Sequence, residues 1–143
     1  MITIVSGRLD KLEEQYKEFW ISYGTHTDAP VKEREYEEYK KVYKDYLDVR
    51  VFMVIGKEGV IGRALGCVES QGGFIRGVYV RKDKRKMGVG TELLKEVERW
   101  LMGQGCAVAR LKVSNTDAVE FYKKNGYGGE TQIMFKGLTS KKK

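Results

Sequence analysis

The spacing of the apolar residues changes after residue 47, and this change restricts the fold more than any other feature of the sequence. From Leu9 to Tyr23, and again from about Lys32 to Leu47, apolar residues recur at helical spacing, which predicts two amphipathic helices. Arg50 to Ile55 and Val60 to Glu69 instead have the pattern of strands, and the glycine-bearing segment between them predicts a hairpin turn. The expected result is a sheet covered by helices.

Beyond the hairpin, the predicted elements alternate between strands and helices. The remaining elements are a strand at Ile2–Val5 before the first helix, a strand at Phe74–Val80, a helix at Gly90–Met102, a strand at Ala107–Val113, a helix at Thr116–Lys124 and two strands between Tyr127 and Lys136. This order predicts an α/β (α+β) fold, a mixed sheet with helices on both faces. Because no repeat or linker divides the chain, we expect one domain over residues 1–138 and a Lys-rich tail at 139–143.

Composition excludes several classes of protein. The two cysteines, Cys67 and Cys106, are far apart and have no partner at a metal or redox spacing, so we expect buried thiols without a disulfide or a metal site. The longest apolar run, Val51 to Ile55, is far shorter than the about 20 residues that cross a bilayer. No signal peptide is visible, so we expect a soluble, cytoplasmic protein without membrane contact.

The net charge of +7 includes three lysines of the tail, which leaves a mild excess of +4. Much of that excess lies in one basic run at residues 81–86, which overlaps the start of the segment Arg85-Lys86-Met87-Gly88-Val89-Gly90. This segment connects a predicted strand to a predicted helix, and the unpaired N–H groups of a helix start attract anions. Gly88 and Gly90 allow close approach of the backbone to a phosphate, and Thr91 offers a hydroxyl. The alternative is a tight turn with solvated basic side chains.

Two common phosphate-binding motifs do not match this loop. Leu93 stands where a dinucleotide fingerprint needs its third glycine, and no Gly-Lys-Ser/Thr follows. The main alternative to a loop that binds the phosphates of a small ligand is a basic nucleic-acid-binding module. Such a module would need aromatic residues interleaved with basic residues, or a recognition helix. We therefore consider nucleic acid an unlikely partner.

The resemblance to a known family rests on two motifs. Arg85-x-x-Gly88-x-Gly90 matches the Arg/Gln-x-x-Gly-x-Gly/Ala signature of the GNAT family of N-acetyltransferases, and it follows a strand that reads Val78-Tyr79-Val80. A second stretch resembles the family's second motif through Asn115, Ala118, Tyr122 and the pair Gly126-Tyr127. The two motifs in this order resemble the family from about Val60 to Phe135. The resemblance implies a mostly antiparallel sheet of about seven strands.

The resemblance also implies a donor site for acetyl-CoA and a set of residues that bind it. The backbone of Val78–Val80 would bond the pantetheine arm, the amides from Arg85 to Gly90 would hold the pyrophosphate, and Asn115 would bond the pantetheine amides. Attack of an amine on the thioester builds charge on the carbonyl oxygen, which a backbone N–H of that strand could stabilise. Tyr122 would protonate the departing thiolate, although core packing is the alternative role for this side chain.

The proton acceptor stays open at this stage. Some family members carry a Glu on the strand before the phosphate loop, near the position of Arg76, and an arginine cannot accept a proton. Glu69 is the first candidate base and His26 the second, while a water chain or no dedicated base is equally compatible with the sequence. The lack of a Glu also leaves open a catalytically silent acyl-CoA binder. No metal is expected.

The acceptor side is the least constrained. The resemblance implies an amine acceptor, and the sequence does not choose among a small amine, an aminoacyl compound and a protein amine. It also leaves open whether the chain forms a homodimer. A stripe of tyrosines on the second helix could line an aromatic slot for an amine, but amphipathic packing on the sheet is favoured. Its members are Tyr36, Tyr39, Tyr43 and Tyr46.

Overall fold

The computed structural model describes residues 2–24, 28–70, 72–113, 116–129 and 132–138. These residues form a seven-stranded sheet in the order β1-β2-β3-β4-β5-β7-β6. The strands are β1 (Thr3–Arg8), β2 (Asp48–Gly56), β3 (Gly59–Glu69), β4 (Gly72–Val80), β5 (Val108–Val113), β6 (Gly128–Gly129) and β7 (Gln132–Gly137). The helices are α1 (Leu9–Tyr23), α2 (Glu33–Lys40), α3 (Val89–Gly103) and α4 (Thr116–Lys124), with short 3-10 turns at Lys41–Asp45 and Lys82–Lys84.

The sheet is mixed and mostly antiparallel, as predicted. The β4–β5 pair is parallel, and it extends only over Gly73–Ile75 against Ala109–Leu111. All the other neighbouring strands pair antiparallel. A parallel pair needs a crossover connection, which α3 supplies between the two strands.

Each face of the sheet carries its own apolar core. Helix α3 buries Leu93, Val97 and Leu101 against one face. Helix α1 buries Tyr16 and Trp20 on the other face. Close packing of α3 depends on glycine in the sheet: a Cβ at Gly73 would lie 2.8 Å from the Leu101 Cδ1 atom, and one at Gly66 would lie 2.9 Å from the Trp100 ring.

The second predicted helix, Lys32 to Leu47, is shorter than the sequence indicated. The α-helix ends at Lys40 and continues as the 3-10 turn. Lys41 Nζ lies 3.1 Å from Glu38 Oε2, and Glu37 pairs with Lys17 of α1. A 3-10 turn has three residues per turn, so its side chains meet their neighbours at i and i+3 rather than i+4.

The tyrosine stripe mainly packs. Tyr36 and Tyr43 are buried in the core between α1, α2 and the sheet, and Tyr46 packs against that core. Tyr39 is partly buried and reaches the cleft described below. The favoured interpretation of the stripe is thus correct for most of its members.

Three sequence-based exclusions can be compared with the described residues. Both cysteines are free and buried. Within the described ranges, no cluster of His, Cys, Asp or Glu side chains is suited to hold a metal ion. None of the helices formed by these residues has the length and apolarity to cross a membrane.

Candidate functional site

Strands β4 and β5 separate after Ile75, and a bulge in β4 widens the separation. Arg63 and Leu65 of β3 stand opposite Tyr79 and Arg76, so β4 contains one residue more than its partner over this stretch. Gly77 lies in the extra segment with a φ of 63°, a backbone region that favours glycine. A bulge bends its strand and increases the local twist. Here it turns the second half of β4 away from β5.

The separation opens a cleft of ≈ 1230 Å³ between the two strands. Its walls include Tyr39 and Tyr79 on the face covered by α1 and α2, and Phe121 and Tyr122 on the face covered by α3 and α4. Because both faces contribute, two molecules could enter this opening from opposite sides of the sheet and meet at β4.

Backbone groups of β4 face this cleft without a strand partner. Arg81 N–H donates to Ile61 O of β3 at 2.8 Å, so the polar groups of Val80 point away from β3. Val78 also lines the cleft, and the pairing of β4 with β5 ends before it, at Ile75. These are the strand residues that the resemblance selected. They offer an extended ligand the hydrogen bonds of an added strand.

The predicted phosphate loop stands at the end of β4 and leads into α3. Gly88 is the residue before the helix, with a φ of 82° and open space where a Cβ would be. Lys86 and Met87 are exposed, and Lys86 has the unusual φ of 67° for a non-glycine residue. Gly88, Gly90 and Thr91 line the cleft. The loop therefore presents backbone N–H groups, a helix start and a cation to one end of the opening, which suits a pyrophosphate.

The Arg85 side chain has a local structural role. Its Nε donates to Val80 O at 2.7 Å, and its Nη2 lies 2.7 Å from Asp28 Oδ1. Asp28 also accepts a hydrogen bond from the Tyr79 hydroxyl. These contacts fasten the phosphate loop to the end of β4. Sequence reasoning missed Asp28, because a carboxylate in a loop with Gly and Pro resembles a solvated turn.

Tyr122 belongs to the apolar core and also to the wall of the cleft. Its ring is buried and packs against Phe121 and Tyr127, with centroids 5.1 and 5.9 Å away. The same residue lines the cleft, and no described residue hydrogen-bonds to its hydroxyl. Burial raises the pKa of Tyr122 above its ordinary value, so the hydroxyl keeps its proton at neutral pH.

Glu69 is separate from this cleft. It pairs with Gly72 at the hairpin between β3 and β4, and its carboxylate lies 2.6 Å from Arg110 Nη2. Gly77 lies five positions after Gly72 along β4, roughly 17 Å at about 3.3 Å per residue. The other two candidates, His26 and Asn115, lie outside the described residues.

Two arginines flank the bulge on the α1–α2 face. Arg63 is fully buried and its Nε donates to Gly77 O at 3.0 Å. Arg76 is partly buried, lines the cleft and donates from Nη1 to the Tyr46 hydroxyl at 3.1 Å. The sequence analysis considered Arg76 only as a residue that cannot accept a proton at this position, and it did not single out Arg63.

Comparison with known proteins gives consistent results. A family model described as the acetyltransferase (GNAT) family matches residues 9–127. An uncharacterised N-acetyltransferase of Methanocaldococcus jannaschii is 37% identical over 71 residues, 48% of this chain and 46% of that protein. The chain spans about half the length of the curated relatives it matches.

Two solved structures share the fold at low identity. The ribosomal-protein-S18-alanine N-acetyltransferase of Escherichia coli has a TM-score of 0.71 at 20% identity, over 99% of this chain and 97% of that one. The PaiA N-acetyltransferase of Thermoplasma acidophilum, solved in complex with coenzyme A, has a TM-score of 0.67 at 20% identity, over 96% and 99%. At such identities the likeness shows the fold alone.

Proposed function

Because the chain belongs to the acetyltransferase (GNAT) family, we propose that it transfers the acetyl group of acetyl-CoA to a primary amine within a ternary complex. The observation that carries this proposal is the opening between β4 and β5, with Val78 and Val80, which do not pair with β5, on one wall and the start of α3 at its end. We propose a single domain over residues 1–138 that works in the cytoplasm.

The donor site uses the chain's backbone more than its side chains. The N–H groups of the loop from Arg85 to Gly90 bind the pyrophosphate, and Thr91 adds a hydroxyl at the first turn of α3. The polar backbone groups of Val78 and Val80 bind the pantetheine arm, and Asn115 bonds its amides. Open space at Gly88 supports this assignment, since nothing within 4 Å would obstruct a phosphate there.

The chemistry is direct acyl transfer. The donor supplies a thioester carbonyl, which the uncharged amine attacks; a C–N bond forms and the C–S bond breaks. The N–H of Val78 stabilises the charge that develops on the carbonyl oxygen. Tyr122 gives its proton to the departing sulfur and regains one from solvent, while the amine releases its extra proton to water in the cleft.

We assign no side chain as the base. Glu69 stays an untested prediction that its ion pair with Arg110 and its distance from the bulge do not favour. Water in the cleft is the acceptor that the geometry supports, since α1, α2 and the sheet leave the opening accessible.

The test is calorimetric titration with acetyl-CoA. Gly88→Glu puts a carboxylate where we place a phosphate, and we expect it to abolish micromolar binding by charge repulsion. Gly105→Glu is the matched control, because Gly105 also has a positive φ, of 90°, and open surroundings, but does not line the cleft. The control adds the same charge and similar backbone strain while retaining affinity.

The outcomes separate the alternatives. No binding by the wild-type protein overturns the donor site, and equal loss in both variants overturns its location. Binding without release of CoA in the presence of any amine would indicate a silent acyl-CoA binder. Salt-sensitive binding of nucleic acid that CoA does not displace would instead favour a nucleic-acid-binding module.

A further inference from the structure

Arg76 is placed to contact whatever enters the cleft from the α1–α2 face. It is the β4 residue just before the bulge, and it lines the cleft. The plane of its guanidinium is held by neighbours: Nη1 bonds the Tyr46 hydroxyl, and the group lies 5.4 Å from the Tyr39 ring centroid and 5.8 Å from that of Phe74. A guanidinium fixed in this way is pre-organised for a ligand.

No carboxylate neutralises Arg76 within the described part of the chain. The ion pairs formed there do not include it, and its buried Nε has no hydrogen-bond partner among those residues. The neighbouring hydroxyls of Tyr39 and Tyr46 raise the pKa of Arg76 despite its burial, so the charge is permanent.

Each acidic residue that lines the cleft either is already bound by other side chains or lies on the opposite face of the sheet. Asp28 is bound by Arg85 and the Tyr79 hydroxyl. Asp117 and Glu120 belong to α4, on the opposite face. The α1–α2 entrance thus has a fixed positive charge and lacks a described free carboxylate that could bind a second ammonium group.

We propose that the acceptor is an amine that carries an anionic group, a carboxylate or a phosphate, which Arg76 binds on the α1–α2 side of the cleft. This inference rests on the proposed function. A planar guanidinium matches both anions with paired hydrogen bonds, whereas a polycationic amine would meet repulsion. Anchoring the anion there positions the amine beside the bulge, where the thioester is expected.

The test compares matched acceptors with the full chain and acetyl-CoA. One arm pairs each of the common α-amino acids with its amide, and a second pairs O-phosphoethanolamine with ethanolamine; spermidine is the polycationic comparison. The α-amine of the amide is less basic than that of the free amino acid, so a larger fraction of it is uncharged at neutral pH. Without an anion-binding site, the amide would therefore be the better acceptor. We expect kcat/KM roughly 10- to 100-fold higher for an anionic acceptor than for its neutral partner.

Variants locate the effect. Arg76→Met is expected to remove most of this anionic preference, and Arg76→Lys to restore part of it through charge without the paired bonds. Arg34→Met removes an exposed charge on α2 away from the cleft and should keep the preference. The arm that shows the preference identifies the anion as a carboxylate or a phosphate.

Several results would overturn the inference. A preference for neutral amines or spermidine would do so, as would an anionic preference that Arg76→Met leaves intact. If no acceptor in the panel turns over, thermal shifts of the CoA-saturated protein decide: the anionic compounds should raise Tm and their neutral partners should not. Failure of CoA itself to bind would instead reject the proposed function.

Discussion

Arg63 shows how one side chain can connect distant parts of the site. Its guanidinium donates to Gly77 O in the bulge at 3.0 Å and to Gly24 O at the end of α1 at 2.9 Å. The rings of Phe19, Trp20 and Tyr79 surround it at 5.3 to 5.9 Å. No described carboxylate pairs with it. Among the described residues, its charge is therefore stabilised by carbonyl oxygens and aromatic faces.

We expect Arg63→Met to lower the free energy of unfolding by about 2 kcal/mol, because the carbonyl oxygens of Gly24 and Gly77 lose their donor. The substitution also removes the desolvation cost of a buried guanidinium, which offsets part of that loss. Urea denaturation measures the change. Arg34→Met, on the exposed surface of α2, should stay within about 0.5 kcal/mol of the wild type. An Arg63→Met protein as stable as the wild type would show that these bonds do not stabilise the fold.

Tyr122→Phe separates the catalytic role of this residue from its packing role. The substitution keeps the ring and removes a hydroxyl that no described residue bonds, so Tm and the acetyl-CoA affinity should change little. We expect kcat to fall by about 10²–10⁴-fold, the usual contribution of a general acid. Steady-state kinetics measures this, and an unchanged kcat would leave Tyr122 with packing alone.

Among the elements, those with a sustained apolar period were predictable. The bounds of α1 and α4 agree with the prediction, because one amphipathic pattern runs through each helix. The 3-10 end of α2 was not predictable, since Tyr39 and Tyr43 keep helical spacing in the sequence. The bulge of β4 depends on its register against β3, which local spacing does not encode.

The same distinction holds for the site. The glycine loop and the strand before it are local motifs, so sequence alone located the proposed donor side. The contact between Arg85 and Asp28 joins residues 57 positions apart, and the clustering of Arg76 with Tyr46 joins residues 30 apart. Neither has a local signal, and both depend on how α1 and α2 pack on the sheet.

The bulge can be tested through its glycine. At Gly77 an added Cβ would lie 3.4 Å from the Tyr39 hydroxyl oxygen, an ordinary contact, so the positive φ decides the effect. We expect Gly77→Ala to cost about 1–2 kcal/mol of stability and to weaken acetyl-CoA binding. Gly59→Ala, at the first residue of β3 with a φ of 100°, should cost a similar amount and leave binding intact. Equal binding by both variants would contradict a role for the bulge.

For the molecule as a whole, the buried acidic hydroxyl and thiol groups predict sensitivity to alkali. Burial raises the pKa of the Cys67 thiol from 9.0 to about 12, and raises those of Tyr16 and Tyr43 above their ordinary value. The unfolded chain releases these protons at lower pH than the folded chain. Stability is therefore full below about pH 9 and falls as the pH rises toward 12.

Each such group contributes up to about 1.4 kcal/mol per pH unit within its window. Chemical denaturation at a series of pH values measures the slope. Cys67→Ala should make the slope between about pH 9 and 10 shallower, because the cysteine titrates before the tyrosines. A slope that this substitution does not change would show that Cys67 ionises freely in the folded protein.

The three-residue parallel pairing of β4 with β5 has a mechanical consequence. Strands β1 to β4 and strands β5 to β7 form two groups, which are joined along the sheet through those three residue pairs. A ligand bound in the opening would contact both groups of strands and stabilise their association. Ligand binding should then slow amide hydrogen exchange far more in β5 and β7 than in β1 and β2. The pairing of β1 with β2 does not depend on the β4–β5 contact.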